Sequence, residues 1–209
     1  MTSADEALLG LFPLSIVLLP GEVAPLHIFE ERYKLLMEER RDQGEFGIVL
    51  SEDDALRECG CAARVAKVVE TLDDGRMHVL VQGSRRFHLL ELREPDDPAA
   101  EYLSALVEFY DDALPDALPE LRGAALDVFR KVLLLLDVES PREPTGEAPL
   151  SFRIAAAIEF GMPLKQELLE SLSEEQRLET LLGTMEALLP RLELRKKRAK
   201  AIRGNGKGD

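Results

Sequence analysis

The segment from Leu11 to Arg40 constrains the fold most, because its pattern changes from extended to helical within a short distance. The continuous apolar run Leu14–Leu19 is typical of a buried strand. Pro20-Gly21 ends that run, and Val23–Ile28 is a second short extended segment. From Glu30 onward, apolar residues recur at helical spacing. The sequence therefore predicts two strands that lead directly into a helix.

Further strands are predicted in the rest of the first half. Asp74-Gly75 lies between two extended runs and predicts a tight hairpin, because glycine accepts the positive φ of such a turn. Gly83 interrupts the return strand and suggests a bulge. The other extended runs are Phe46–Leu50, Gly60–Glu70, Arg76–Gln82, Arg86–Leu92 and Tyr102–Tyr110.

Helical spacing dominates after Asp111. Ser173 and Gln176 form a capping box at the start of a long helix, and Pro190 is expected to kink that helix. The predicted helices are Leu121–Leu136, Ser151–Phe160, Leu164–Ser171 and a last one that reaches about Lys200.

Strands followed by helices predict an α+β protein. The pattern divides the chain into a β-rich subdomain at residues 8–112, a helical subdomain at 113–200 and a disordered basic tail at 201–209.

The formal net charge of −14 opposes binding to nucleic acids and anionic membranes. The segment Arg195–Asp209 differs, since it carries seven basic residues and one acid. Cations suit the C-terminus of a helix, so a solvated helix end explains this segment better than a nucleic-acid arm.

The two cysteines, Cys59 and Cys61, are too close in sequence for an ordinary disulfide, and there is no second pair of ligands for zinc. We interpret them as reduced structural thiols, as expected in the cytoplasm. The acidic N-terminus does not resemble a signal peptide, and the longest aliphatic run, Val132–Leu136, is too short to span a bilayer. A cytoplasmic protein is therefore expected.

No motif of an ATPase, a serine hydrolase or a zinc protease occurs in the sequence. His27, His78 and His88 are interpreted as structural residues, although His78 and His88 were candidates to face each other across the sheet. The acidic pairs fall in predicted turns or strand ends, where solvation explains them better than catalysis. We therefore expect no catalytic residues, no metal and no cofactor.

Three segments together resemble the Lon protease N-terminal domain family. LFPLSIVLLPGEVAPLHIFEERY resembles the opening of that domain, and residues 73–92 resemble its hairpin with Gly83 and Arg86-Phe87. Residues 152–182 look like its helical subdomain, including Lys165-Gln166 and Arg177-Leu178. The resemblance covers about residues 8 to 195.

This resemblance implies a PUA-like, strongly bent β-sheet or pseudo-barrel with one helix, followed by a helical bundle. It implies a standalone, non-catalytic module that recognises polypeptides, since the ATPase and Ser-Lys protease domains of full Lon enzymes are not recognisable here. RNA binding through the PUA-like fold and the basic tail is the alternative.

The expected partners are unfolded or extended polypeptide segments, a Lon-type protease or a second copy of the chain, bound in an apolar groove or at a sheet edge. The candidate polypeptide-binding residues are His27, Phe29, Tyr33, Met37, Phe46, Phe87 and Tyr110.

Overall fold

The computed structural model describes residues 5–40, 44–53, 55–95, 101–112, 118–139 and 142–205, with side chains through residue 199. The strands are β1 (Glu6–Leu14), β2 (Val23–Ile28), β3 (Phe46–Glu52), β4 (Ala55–Leu56), β5 (Cys59–Thr71), β6 (Met77–Arg93) and β7 (Ser104–Phe109). The helices are α1 (Glu31–Glu39), α2 (Pro119–Leu135), α3 (Leu150–Ala157), α4 (Met162–Glu170) and α5 (Glu174–Asn205). None of the described helices is both long and apolar enough to cross a membrane.

The strands form one bent, mostly antiparallel sheet in the order β1-β7-β6-β5-β3-β4. Strand β1 also pairs in parallel with β3, so the sheet curves back toward its own first strand. Strand β2 pairs with β6, from Val23 opposite Gln82 to Ile28 opposite Met77. In the described residues β2 and β4 each pair with a single strand, so the sheet keeps open edges and is not a closed barrel. The predicted α+β class and bent sheet are confirmed.

Local turn chemistry explains the hairpin between β5 and β6. Gly75 has a φ of +80°, and its N–H donates to the carbonyl of Leu72 at 2.9 Å. The return strand is one continuous element, so the predicted break into two strands was wrong. The register of β5 shifts between Cys61 and Ala63, and Ala63 pairs with Gly83, which agrees with an irregularity at that position.

The prediction of a strand at Leu14–Leu19 was wrong, because β1 ends at Leu14. Residues Val17, Leu18 and Leu19 are buried, but they lie in irregular backbone. The apolar run therefore correctly predicted that these residues are buried, but it did not predict that they lack strand pairing. The side-chain carboxylate of Glu22 accepts the N–H of Leu19 at 3.0 Å, which replaces a ladder hydrogen bond.

Gly83 is required because the turn at residues 19–22 crosses directly over β6. The N–H of Gly21 donates to the carbonyl of Gly83 at 2.9 Å, and the N–H of Gly83 donates to the carbonyl of Glu22 at 2.9 Å. A Cβ at position 83 would lie 2.2 Å from the carbonyl oxygen of Leu19. Gly21 itself has a φ of +82°, which glycine adopts at little cost.

The chain forms two compact units. The sheet unit contains residues 1–114 and 146–170, and the helix-pair unit contains residues 115–145 and 171–209. Residues 146–170, with α3 and α4, therefore group with the sheet, whereas the sequence assigned them to the helical subdomain. The subdomain limits 8–112 and 113–200 and the disordered tail at 201–209 stay predictions. Helix α5 is assigned through Asn205, and residues 206–209 lie outside the described part.

The sheet unit is held together by a buried arginine. Arg86 on β6 is 1% exposed, and its Nε donates to both carboxylate oxygens of Asp112 at 3.0 Å. Its Nη1 donates to the carbonyl of Leu169 at the end of α4 at 2.7 Å. Gln166 of the same helix donates to the carbonyl of Cys59 at 3.1 Å. These contacts fasten α4 to strands β5 and β6.

The cysteines lie in this buried region as free thiols. Burial raises the pKa of the Cys59 thiol to about 12 and that of the Cys61 thiol well above its ordinary value. Tyr110 lies beside Cys59 and the Arg86 guanidinium, and burial raises the pKa of its hydroxyl to about 12. Protonated, inaccessible thiols agree with the predicted structural role.

The helix-pair unit consists of α2 packed along α5. Helix α2 buries Ala125, Val128, Phe129 and Val132, and α5 buries Leu178, Leu181 and Met185. The Oγ of Ser173 accepts the N–H of Gln176 at 3.4 Å, so the serine half of the predicted capping box is present. Buried Arg177 pairs with Glu174 at 3.1 Å within the same first turn.

Candidate functional site

A cavity of about 630 Å³ opens in the sheet unit where β1, the corner between β2 and α1, the β3–β4 hairpin and the end of β6 meet. We call it the aromatic cavity. It is lined by Phe12, Pro13, Leu14, His27, Phe29, Glu30, Arg32, Tyr33, Ser51, Leu56, Leu92, Glu94, Pro95, Glu101 and Leu103. Its size is within the range of ordinary ligand sites.

Two aromatic rings in close, tilted contact belong to the lining of the aromatic cavity. The ring centroids of Phe12 and Tyr33 are 4.1 Å apart, and both side chains are buried. The guanidinium of Arg32 lies 4.7 Å from the Tyr33 ring centroid, in the geometry of a cation–π contact. Burial raises the pKa of the Tyr33 hydroxyl, so it is a neutral group at physiological pH.

The accessible part of the aromatic cavity carries large apolar side chains. Phe29 is 58% exposed and Leu92 is 47% exposed, which is unusual for side chains of this size. Phe29 lies at the start of α1, just after the sheet strand β2, so the corner between the two elements presents its ring to solvent. A concave site with exposed aromatic and aliphatic groups can accept apolar side chains of another molecule.

His27 adds a polar group to the lining of the aromatic cavity. It pairs with His78 across β2 and β6, and the two imidazole rings stack with centroids 4.6 Å apart. The ring of Phe29 lies 5.7 Å from that of His27. The prediction that His78 and His88 face each other was wrong, because both lie on β6 and His88 is opposite Cys59 and Glu108.

The seven residues predicted for polypeptide binding divide into three sets. His27, Phe29 and Tyr33 line the aromatic cavity together. Met37, Phe46 and Phe87 are at most 3% exposed, because α1, β3 and β6 turn them into the core, so they have no surface for a bound chain in this conformation. Tyr110 does not line the aromatic cavity. Its ring lies against the buried guanidinium of Arg86, whose Cζ is 4.3 Å from the centroid of the Tyr110 ring.

Sequence reasoning missed the other apolar lining residues, of which Phe12, Leu14, Leu56, Leu92 and Leu103 are the largest. For Leu92 the available signal was the segment LLELR, in which Leu90 and Leu92 alternate with the charged residues Glu91 and Arg93. That signal does not reveal that the two strand ends meet in space.

Within the described residues no group of three or more His, Cys, Asp or Glu side chains can hold a metal ion. Ser84 lies within β6, and its single hydroxyl proton is shared between the carboxylate of Glu45 at 2.7 Å and the carbonyl of Ala62 at 3.1 Å. Those partners orient its hydroxyl within the sheet unit.

Comparison with known proteins gives a consistent result. The family model of the ATP-dependent protease La (LON) substrate-binding domain matches residues 9–187. A Lon protease of Brucella suis is 28% identical over 94% of this chain and 26% of the relative's length. One from Halothermothrix orenii is 27% identical over 80% of this chain and 23% of the relative's length. The chain thus spans about a quarter of the length of these curated relatives.

Solved structures give the same family resemblance. A Lon N-terminal domain protein from Xanthomonas campestris has a TM-score of 0.66 at 28% identity, with 85% of this chain and 98% of that chain covered. The N-terminal domain of a Mycobacterium avium complex Lon protease has a TM-score of 0.62 at 19% identity, with 86% and 98% covered, and shows the shared fold.

Proposed function

Because this chain belongs to the ATP-dependent protease La (LON) substrate-binding domain family, we propose that it is a polypeptide-recognition module. In this proposal it binds unfolded or extended segments without transforming them, in the cytoplasm. The bound chain is a client protein, a Lon-type protease or a second copy of this chain. None of the comparisons supports RNA binding as the alternative.

The observation that supports this proposal most is the exposure of Phe29 at the aromatic cavity. An apolar side chain left in water adds nothing to folding, whereas covering it with a partner removes apolar surface from water at about 25 cal/mol per Å². Leu92 lines the same cavity, so a bound segment can cover both side chains. A concave surface that exposes apolar side chains has this capacity, and a flat polar surface does not.

The direct experiment measures binding of a short synthetic peptide with a Phe-Leu-Phe centre and uncharged Ser and Gly flanks. We expect saturable binding by titration calorimetry. Phe29→Ala removes the most exposed aromatic contact and is expected to weaken binding about tenfold, as loss of roughly 1.4 kcal/mol of apolar contact predicts.

Two leucines of the same strand provide a matched control. Leu92 lines the aromatic cavity and Leu90 does not, and their exposed fractions are 47% and 44%. Leu92→Ala is expected to weaken binding about fivefold, and Leu90→Ala less than twofold. Equal effects of the two substitutions, or no saturable binding by the unmodified protein, contradict the proposal. Binding of RNA that competes with the peptide points to the alternative function.

A further inference from the structure

The charges around the aromatic cavity are unbalanced. Three acids, Glu30, Glu94 and Glu101, line it together with the single cation Arg32. Taking histidine as neutral, the lining has a net charge of −3 plus 1, or −2. The same sign applies to the whole chain, whose formal net charge is −14.

One of these acids is already compensated. The guanidinium of Arg32 lies 2.6 Å from the carboxylate of Glu30, and both belong to the α1 side of the aromatic cavity. Glu94 and Glu101 lie on the other side, at the end of β6 and just before β7, and both are exposed. Neither has an ion-pair partner in the part of the chain that the structure describes. The uncompensated charge is therefore concentrated beside Leu92 and Leu103.

The spacing on this side matches an extended ligand. Leu92 and Glu94 are two positions apart and both line the aromatic cavity. Side chains on one face of an extended chain recur at every second residue, about 6.6 Å apart. A bound extended segment therefore reaches both residues with an apolar side chain at one position and a basic side chain two positions away. The aliphatic stem of Lys or Arg also covers apolar surface while its charged end remains in water.

We propose that the aromatic cavity selects extended polypeptide segments in which an aromatic or large aliphatic residue lies two positions from Lys or Arg. The apolar side chain contacts Phe29 and Leu92, and the cation pairs with Glu94 or Glu101. This inference rests on the proposed function, because it names the class of segment that the same cavity binds. The acidic lining disfavours acidic segments by the same electrostatic effect.

The test compares three peptides with one Phe-Leu-Phe centre and either Lys, Ser or Glu at the flanking positions. Exposed ion pairs are individually weak, so the two acids together are expected to give the Lys peptide about five- to tenfold tighter binding than the Ser peptide at low salt. The Glu peptide is expected to bind more weakly than the Ser peptide. High salt should reduce these differences, because the charges are exposed.

Variants identify which acids are responsible. The double substitution Glu94→Gln and Glu101→Gln is expected to reduce the ratio of Lys-peptide to Ser-peptide affinity to less than twofold. Glu70→Gln is the matched control, since Glu70 is an exposed acid of β5 that does not line the aromatic cavity, and it should keep the full preference.

The outcomes separate the two proposals. Equal binding of all three peptides overturns the charge preference and leaves polypeptide recognition intact. A Lys preference that persists in the double variant also overturns it, because the overall charge of the chain is then the cause. Equally tight binding of a Lys-rich peptide without apolar residues overturns it as non-specific attraction. Failure of the Ser peptide to bind overturns the proposed function itself.

Discussion

The sheet unit and the helix-pair unit are stabilised by polar contacts of different range. In the sheet unit, buried Arg86 bonds a carbonyl 83 positions away, and Gln166 bonds one 107 positions away. In the helix-pair unit, buried Arg177 pairs with Glu174, three positions away. The long contact between Lys196 and the Leu134 carbonyl in that unit is exposed. The unit that carries the aromatic cavity is therefore the one in which the buried polar contacts named here join distant parts of the chain.

Thiol labelling offers the largest expected effect and reports on the sheet unit alone, because both cysteines lie in it. A pKa of about 12 leaves Cys59 with roughly a thousandfold less thiolate at pH 8 than an ordinary thiol, and the thiolate is the reactive form. We expect labelling by a disulfide reagent to be at least a thousandfold slower in the native protein than in guanidinium chloride.

The pH dependence has a definite sign. The raised pKa of the folded thiol favours the protonated form, so this contribution to stability is complete below about pH 8.5, where the unfolded thiol titrates, and is lost as the pH rises toward 12. If the thiols of the native protein were labelled as fast as those of the denatured protein, the sheet unit would open freely. Its long-range polar contacts would then not distinguish it from the helix-pair unit.

Removal of the buried arginine is the next largest effect. Arg86→Met removes the donor to the Asp112 carboxylate and to the Leu169 carbonyl, and we expect the free energy of unfolding to fall by about 3 kcal/mol. Denaturant titration by circular dichroism measures this change. Hydrogen exchange should accelerate at residues 59–61 and 166–170 as well as near the substituted position, because those segments lose a shared contact.

Arg177→Met is the matched substitution in the helix-pair unit. Two of its partners, Glu174 and the Ser171 carbonyl, lie within six positions, so the largest acceleration of exchange is expected around the start of α5. If Arg177→Met changes exchange across that whole unit, or if Arg86→Met acts only locally, the difference in contact range is not what distinguishes the two units.

Replacement by alanine at two different glycines should change the free energy of unfolding in opposite directions. Gly83→Ala places a methyl group 2.2 Å from the Leu19 carbonyl oxygen, and we expect a loss of about 1–3 kcal/mol. Gly123→Ala lies on α2, where no described residue outside the adjoining helical backbone comes within 4 Å of the added carbon, and we expect a gain of about 1 kcal/mol from helix propensity. Thermal and denaturant unfolding of both variants check the signs. A stable Gly83→Ala protein would show that the turn over β6 moves easily.

Local features could be predicted from the sequence. The bounds of β2 at Val23–Ile28 agree with the structure, and the Asp74-Gly75 turn has the expected positive φ, because a few adjacent residues determine both. The Leu14–Leu19 run was misassigned, since a buried apolar run satisfies burial without pairing. Whether a buried apolar run pairs as a strand depends on which distant segments of the chain lie beside it.

The candidate site shows the same limit. His27, Phe29 and Tyr33 are close in sequence and belong to one corner, so the motif located them. Phe12 and Leu92 reach the aromatic cavity only through the sheet topology, which no short pattern contains. Phe46 and Phe87 look equally suitable by residue type, but both are fully buried within the sheet unit.

The hydrogen bond from Arg86 to the Leu169 carbonyl also affects the order of events on the ribosome. The acceptor is synthesised 83 positions after the donor, and at about 5–20 residues per second that interval is about 4–17 seconds. Throughout that time the nascent sheet has a charged side chain without one of its native partners. The speed of translation between Arg86 and Leu169 therefore sets how long the incomplete sheet stays accessible to chaperones and proteases.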